Sequence, residues 1–241
     1  MQNNSIWISR IAEVKAAGHI PVIAEIKPSS PTEGNLLGDR DPGSLVKAYA
    51  KGGAACISVV TGRWFGGNIH LLESVAQHTS LPILRKDLIV NQEQIRQSKD
   101  RGATAVLLTR KILQPSHLLK MIETCISLDV TPFIEVATQA ELDTLPSDER
   151  IIVGIANRDI AQKEMDIDSG LQSLSLISKL SAKAGAVISA SGISNPAEAN
   201  RLIQAGFDGL LIGTVLLQAE NPEATLRALT HRVLNAASLS A

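Results

Sequence analysis

Aromatic side chains are scarce: Trp7, Tyr49, Trp64, Phe65, Phe133 and Phe207 are the only ones among 241 residues. A core of ordinary size must then be aliphatic, and the adjacent pair Trp64–Phe65 stands out. Cysteine is rarer still. Cys56 and Cys125 lie in the apolar stretches AACISVV and IETCISL, with neither metal-type spacing nor a disulfide framework. They read as small buried hydrophobes, a reactive thiol being the alternative, and they fit a reducing cytoplasm. Apolar runs long enough to span a membrane are absent, and MQNNSIWISRIAEVK lacks the basic-then-apolar pattern of a secretory signal. A formal net charge of −1 without a basic run disfavours nucleic acid as a partner. None of the five histidines ends an apolar run, so no metal site is expected.

What is present is an alternation. Eight short apolar runs, Pro21–Pro28, Ala55–Thr61, Pro82–Leu88, Ala105–Thr109, Thr131–Ala137, Ile151–Asn157, Ala186–Ser191 and Gly209–Val215, are each followed by a polar turn and a helically spaced stretch. Near-continuous apolarity marks strands buried on both faces. Asp41-Pro42 and Asn195-Pro196 place a capping side chain before proline at a helix start. Gly52, Gly102 and Gly206 fall where helices should end. The pattern predicts an α/β fold, a single-domain (β/α)8 TIM barrel over residues 21–241, preceded by an N-terminal helix or cap over residues 1–20. A doubly wound open sheet is the runner-up, but its glycine-rich fingerprint after the first strand is missing.

Such a barrel carries chemistry at the C-terminal ends of its strands. The first run ends Ala24-Glu25-Ile26-Lys27, and the two-residue period puts Glu25 and Lys27 on the inner face. The third ends Leu84-Arg85-Lys86-Asp87, with Lys86 on the face of Leu84 and Arg85 and Asp87 on the other. The fifth ends Phe133-Ile134-Glu135. Two lysines and two glutamates around one ring can perform acid–base chemistry, or a lysine can form a Schiff base. Structural ion pairing is the alternative. The last two runs end Ser191-Gly192-Ile193 and Ile212-Gly213-Thr214, where glycine lets backbone amides approach a phosphate. The loop Pro28-Ser29-Ser30-Pro31-Thr32-Glu33-Gly34 adds hydroxyls near the same mouth.

AEIKPSSPTEG, GGAACISVVT, LPILRKDL, FIEVAT, VGIANRD, SASGIS and GLLIGTVL occur in the order of the motifs of indole-3-glycerol-phosphate synthases, which this chain resembles from about Pro21 to its last helix. The resemblance implies a TIM barrel of tryptophan biosynthesis. Such an enzyme closes the ring of an anthranilate-bearing deoxyribulose phosphate with loss of carbon dioxide and water, using neither metal nor organic cofactor. By motif, Lys86 matches the lysine that protonates the sugar carbonyl. Lys27 and Glu135 match the acid–base pair of the dehydration, and Glu25 a supporting carboxylate. Ser30, Ser191, Gly192, Gly213 and Thr214 match positions that hold the substrate or its phosphate, and Asn157 of VGIANRD is a further binding candidate.

The departures are specific. Ala156 and Ala190 stand where the family has polar site residues, and Leu88 replaces an aromatic that packs the arene. The strand-two loop Thr61-Gly62-Arg63-Trp64-Phe65 lacks the usual acidic residues, and strand four ends Thr109-Arg110, where apolar residues are common. Arg63 and Arg110 are therefore added as binding candidates for a more acidic or smaller amine half, bidentate contact being the habit of arginine; solvated rim residues are the alternative. The partner expected is a phosphorylated small molecule, the protein being a monomer or a homodimer. A family paralogue cyclising a different amino-sugar phosphate, an isomerase of a phosphoribosylamine and a non-catalytic binding protein remain as alternatives.

Overall fold

The computed structural model describes residues 5–157, 172–181 and 183–232. The barrel strands are β1 (Val22–Ile26), β4 (Cys56–Val60), β5 (Ile83–Lys86), β6 (Ala105–Thr109), β7 (Thr131–Val136), β8 (Asp148–Ala156), β9 (Ala184–Ala190) and β10 (Gly209–Ile212). They close in the order β1-β10-β9-β8-β7-β6-β5-β4, every pair parallel. A two-residue ribbon, β2 (Ser29–Ser30) with β3 (Gly34–Asn35), decorates the loop after β1. The helices include α1 (Ile6–Ala16), α2 (Pro42–Lys51), α3 (Ile69–Ala76), α4 (Gln92–Asp100), α5 (Pro115–Ser127), α6 (Gln139–Leu142), α7 (Gln172–Ile177), α8 (Pro196–Gln204), α9 (Thr214–Gln218) and α10 (Pro222–Thr230). This is the (β/α)8 barrel expected. None of these helices is long and apolar enough to cross a membrane.

Local chemistry sets the boundaries. Asp41 accepts from the Ser44 amide at 2.8 Å and Asn195 from the Glu198 amide at 3.0 Å, so both predicted Xaa-Pro starts are real caps. Gly102 and Gly206 are left-handed behind their helices, whereas Gly52 is right-handed and Gly53 makes the reversal. Two predicted strand boundaries shift by three residues. The last strand stops at Ile212 rather than running to Val215, because Gly213 turns the chain (φ −128°, ψ −72°) into α9. β8 begins three residues early, at Asp148, with a register break before Ile152 that its polar start conceals.

Alternation along each strand splits the core into two concentric parts. Outward residues such as Val22, Ala24, Val106, Leu108 and Ile134 pack against the helices. Inward residues such as Ile23, Cys56, Leu84, Leu107, Phe133, Ile152, Ile188 and Leu211 fill the barrel. Gly154 exists for this packing: a Cβ there would meet Phe133 Cε1 at 2.3 Å. Trp7 of α1 joins the inner cluster and donates its Nε1–H to Thr104 Oγ1, one residue before β6. It thus closes the end of the barrel opposite the strand termini, and the whole C-terminal mouth is left for chemistry.

Candidate active site

At that mouth the inward residues change from aliphatic to ionic. Glu25 and Lys27 are each only 3% exposed, and Lys86 and Glu135 are buried as well. Lys86 Nζ lies 3.0 Å from Glu25 Oε2 and Lys27 Nζ 3.8 Å from Glu25 Oε1. Ser58, inward on β4 between the two charged strands, donates to Glu25 Oε2 at 3.4 Å. Burial alone would raise the Glu25 carboxyl; the charges of Lys86 and Lys27, with hydrogen bonds from Lys86 and Ser58, outweigh it and hold the group below its ordinary value. Glu25 is therefore ionised at neutral pH. It supplies counter-charge to two ammonium groups in the protein interior.

Lys86 is held from behind. On the opposite face of β5, Arg85 donates to Thr61 Oγ1 at 3.0 Å, to Ser98 Oγ of α4 at 3.1 Å and to Asp87 at 2.9 Å, while Thr61 also donates to Asp87 at 2.7 Å. The separation predicted from the two-residue period holds for Lys86, on the face of Leu84, and Arg85, on the other; Asp87, just past the end of β5, pairs with Arg85 and also borders the inner cavity beside Lys86. Glu135 is on the inner face of β7, in register with Thr109 of β6 and Gly154 of β8.

Two cavities flank Lys27. The larger, about 250 Å³, is lined by Glu25, Lys27, Ser191, Gly192, Gly213 and Thr214, with Glu33 and Gln218 at its rim. Ser191 and Gly192 are both left-handed (φ +72° and +71°), a conformation unfavourable for serine. Asn157 anchors this turn. It is 1% exposed, donates to Ser191 O at 2.9 Å and Ser189 Oγ at 3.0 Å, and accepts from the Ser173 amide at 2.9 Å. Gly213 is in contact with the charged cluster, since a Cβ there would lie 2.8 Å from Glu25 Oε1. The smaller cavity, about 20 Å³, is bounded by Lys27, Lys86, Asp87, Val60, Leu88, Leu107, Thr109 and the Trp64–Phe65 pair. The Lys27 ammonium sits 5.6 Å from the Phe65 ring centre.

The chain matches the family model described as indole-3-glycerol phosphate synthase over residues 3–229. It belongs to the indole-3-glycerol phosphate synthase family. Among curated relatives, indole-3-glycerol phosphate synthase of Aquifex aeolicus (strain VF5) is 38% identical over 209 residues, covering 86% of this chain and 80% of that protein. The synthase of Carboxydothermus hydrogenoformans (strain ATCC BAA-161 / DSM 6008 / Z-2901) is 37% identical over 216 residues (89% and 80%). That of Polaromonas sp. (strain JS666 / ATCC BAA-500) is 35% identical over 215 (89% and 80%).

Several of the sequence-predicted binding residues do not line the two cavities. Arg110 lines neither cavity: its guanidinium donates to Thr144 Oγ1 at 2.8 Å and to Leu113 O at 2.7 Å, tying down the loop after β6. Arg63 is exposed, lines neither cavity, and makes no hydrogen bond or ion pair among the described residues. Ser30 borders neither cavity; its hydroxyl accepts from the Glu33 amide at 3.1 Å and meets Thr32 Oγ1 at 3.2 Å inside its own loop. Asn157 is an anchor whose side chain is already hydrogen-bonded at both ends. Arg158 and Asp159 of the VGIANRD motif lie outside the described residues. Both thiols are buried, and burial pushes them up, Cys125 to about 12, which removes the reactive-thiol reading. Ala156 and Ala190 face each other in register at the ends of β8 and β9, so the two positions without a polar group form one apolar patch.

Ser58 escaped sequence reasoning, although a lone hydroxyl at an inward position of CISVV was a readable signal. The Ser173–Ser189–Asn157 network escaped it for a better reason, since those residues converge only through the fold (Ser173 Oγ to Ser189 Oγ, 3.0 Å).

Proposed function

We propose that the chain is a carboxy-lyase of the indole-3-glycerol phosphate synthase type. It cyclises a phosphorylated 1-amino-1-deoxyribulose bearing anthranilate, with loss of carbon dioxide and water, as a cytoplasmic monomer or homodimer. The observation that carries this reading is the buried Lys86–Glu25–Lys27 cluster, lying between a glycine-lined cavity and an apolar one. The phosphate occupies the larger cavity, where Ser191, Gly192, Gly213 and Thr214 present the chain ends of β9 and β10 and Lys27 adds positive charge. The amine-derived ring occupies the apolar cavity under Trp64 and Phe65.

Three tasks follow from the chemistry. The ketose carbonyl at C2 must be polarised and protonated as the ring carbon bearing the carboxylate attacks it. Lys86 delivers that proton to the carbonyl oxygen, with ionised Glu25 holding its ammonium in place. The new carbon–carbon bond is followed by cleavage of the ring carbon–carboxylate bond, whose electrons restore the aromatic ring as carbon dioxide departs. The hydroxyl left at C2 must then leave as water: Lys27 protonates it, and Glu135 accepts the proton lost from C1. In this scheme Lys86 and Lys27 are acids and Glu135 a base, all on one closed ring of strands.

Incubating the purified chain with 1-(2-carboxyphenylamino)-1-deoxyribulose 5-phosphate should develop indole absorbance and fluorescence. A flat trace would remove anthranilate as the amine half. A second reading, a paralogue that cyclises another amino-sugar phosphate, is favoured by the apolar Ala156–Ala190 patch and by Leu88 in the ring cavity.

A further inference from the structure

The inner face of β6 carries Ala105, Leu107 and Thr109, and its outer face Val106 and Leu108. Ala105 and Leu107 belong to the dry barrel interior. Thr109 comes last, beside Glu135 of β7, and lines the apolar cavity with Lys86, Leu88, Trp64 and Phe65. The residue is 8% exposed, and its hydroxyl oxygen is sealed from solvent without a hydrogen-bond partner. Among the described residues one other buried side-chain atom shares this state, Gln139 Oε1, whose own amide nitrogen is bonded to Asp143. Neighbouring hydroxyls at the same end of the barrel are engaged: Ser58 with Glu25, Thr61 with Asp87, Ser189 with Asn157. A buried hydroxyl without a partner is worse for stability than the isosteric valine. A cavity wall that keeps one offers the missing bond to a ligand that completes it.

We propose that Thr109 is a specificity-determining residue that reads a hydrogen-bonding substituent on the amine-derived half of the substrate. The preferred amine half is then a flat ring with a hydroxyl or similar polar group at the edge facing β6. This rests on the cyclase reading above and changes its preferred amine half from plain anthranilate to a ring-substituted one. Val60, Leu88, Leu107 and the two aromatic rings supply apolar walls for such a ring; Lys27, Lys86 and Asp87 border the same cavity as charged groups, and Thr109 adds the buried hydroxyl that has no hydrogen-bond partner. The cavity is smaller than an aromatic ring, so seating one requires Trp64, 50% exposed, to swing outward.

The test uses the full chain, Thr109→Val and Thr109→Ser. Its probes are the ketose phosphates made from anthranilate and from each ring-hydroxylated anthranilate, together with the free acids as binding ligands. The wild type should prefer at least one hydroxylated ketose by about tenfold in kcat/KM, and bind the matching free acid about tenfold more tightly than anthranilate. Thr109→Val should bring both ratios to one or below without lowering the melting temperature, and Thr109→Ser should keep them. Ratios that stay within twofold of the wild type in Thr109→Val, or a lowered melting temperature with unchanged ratios, would overturn the proposal. Free acids that fail to bind, or bind without discrimination, would also overturn it. Discrimination among free acids without turnover of any ketose would instead remove the cyclase reading and leave the role of Thr109 standing.

Discussion

Glu25 of β1 and Lys86 of β5 meet at 3.0 Å although β4 runs between their strands. Both side chains point into the barrel and reach across its interior, with Ser58 of the intervening strand donating to the same carboxylate oxygen. Closure brings the pair together: in an open twisted sheet the side chains of alternate strands diverge.

Because Glu25 balances two buried ammonium groups, Glu25→Gln should cost about 3–5 kcal/mol at pH 7, measured by urea unfolding. The pH dependence has a fixed sign. The folded-state pKa of Glu25 lies below the ordinary value of 4.5, so its contribution is complete above that value and disappears as the pH falls through the lowered one. The gap between wild type and Glu25→Gln should therefore shrink as unfolding is followed downward from pH 5. A gap that stays constant would mean that the carboxylate is not the group responsible.

Lys86→Met tests the acid. It keeps the length and apolar stem of the side chain and leaves Glu25 paired with Lys27, so a folded protein is expected by circular dichroism. The kcat of cyclisation should fall by about 10²–10⁴, the usual contribution of one positioned acid. Retention of full activity would assign proton transfer to another group.

Asn157 is a positioning residue for the left-handed Ser191–Gly192 turn. Asn157→Ala frees Ser191 O and the Ser173 amide and should destabilise by about 1–3 kcal/mol. If the phosphate binds beside that turn, KM rises at least tenfold while kcat stays within threefold. An equal loss in kcat with unchanged KM would place the effect on the chemistry instead.

Arg63→Met and Arg110→Met should each leave KM within twofold. Arg63 is solvated, and Arg110 is bonded to Thr144 and Leu113 and lines neither cavity. Arg110→Met should lower the melting temperature by a few degrees through its loop. A large rise in KM for either would restore a guanidinium to substrate recognition.

Sequence periodicity alone determined much of this protein. The eight βα units, the inward facing of Glu25, Lys27, Lys86 and Glu135, and the caps at Asp41 and Asn195 all follow from rules that act within a few residues: the two-residue alternation of a strand and the orphan amides of a helix start. Facing, however, is not proximity. Whether a polar residue on the right face touches the cluster, serves its own loop or anchors a turn depends on partners tens of residues away. Hence Ser30, Asn157, Arg63 and Arg110, all binding candidates by sequence, separate in three dimensions. The bonding of Arg110 to Thr144, the Asn157 hold on Ser191 and the bare hydroxyl of Thr109 were decided by barrel closure. Closure sets which strand ends share a wall, and only a shared wall decides which buried polar groups find a partner.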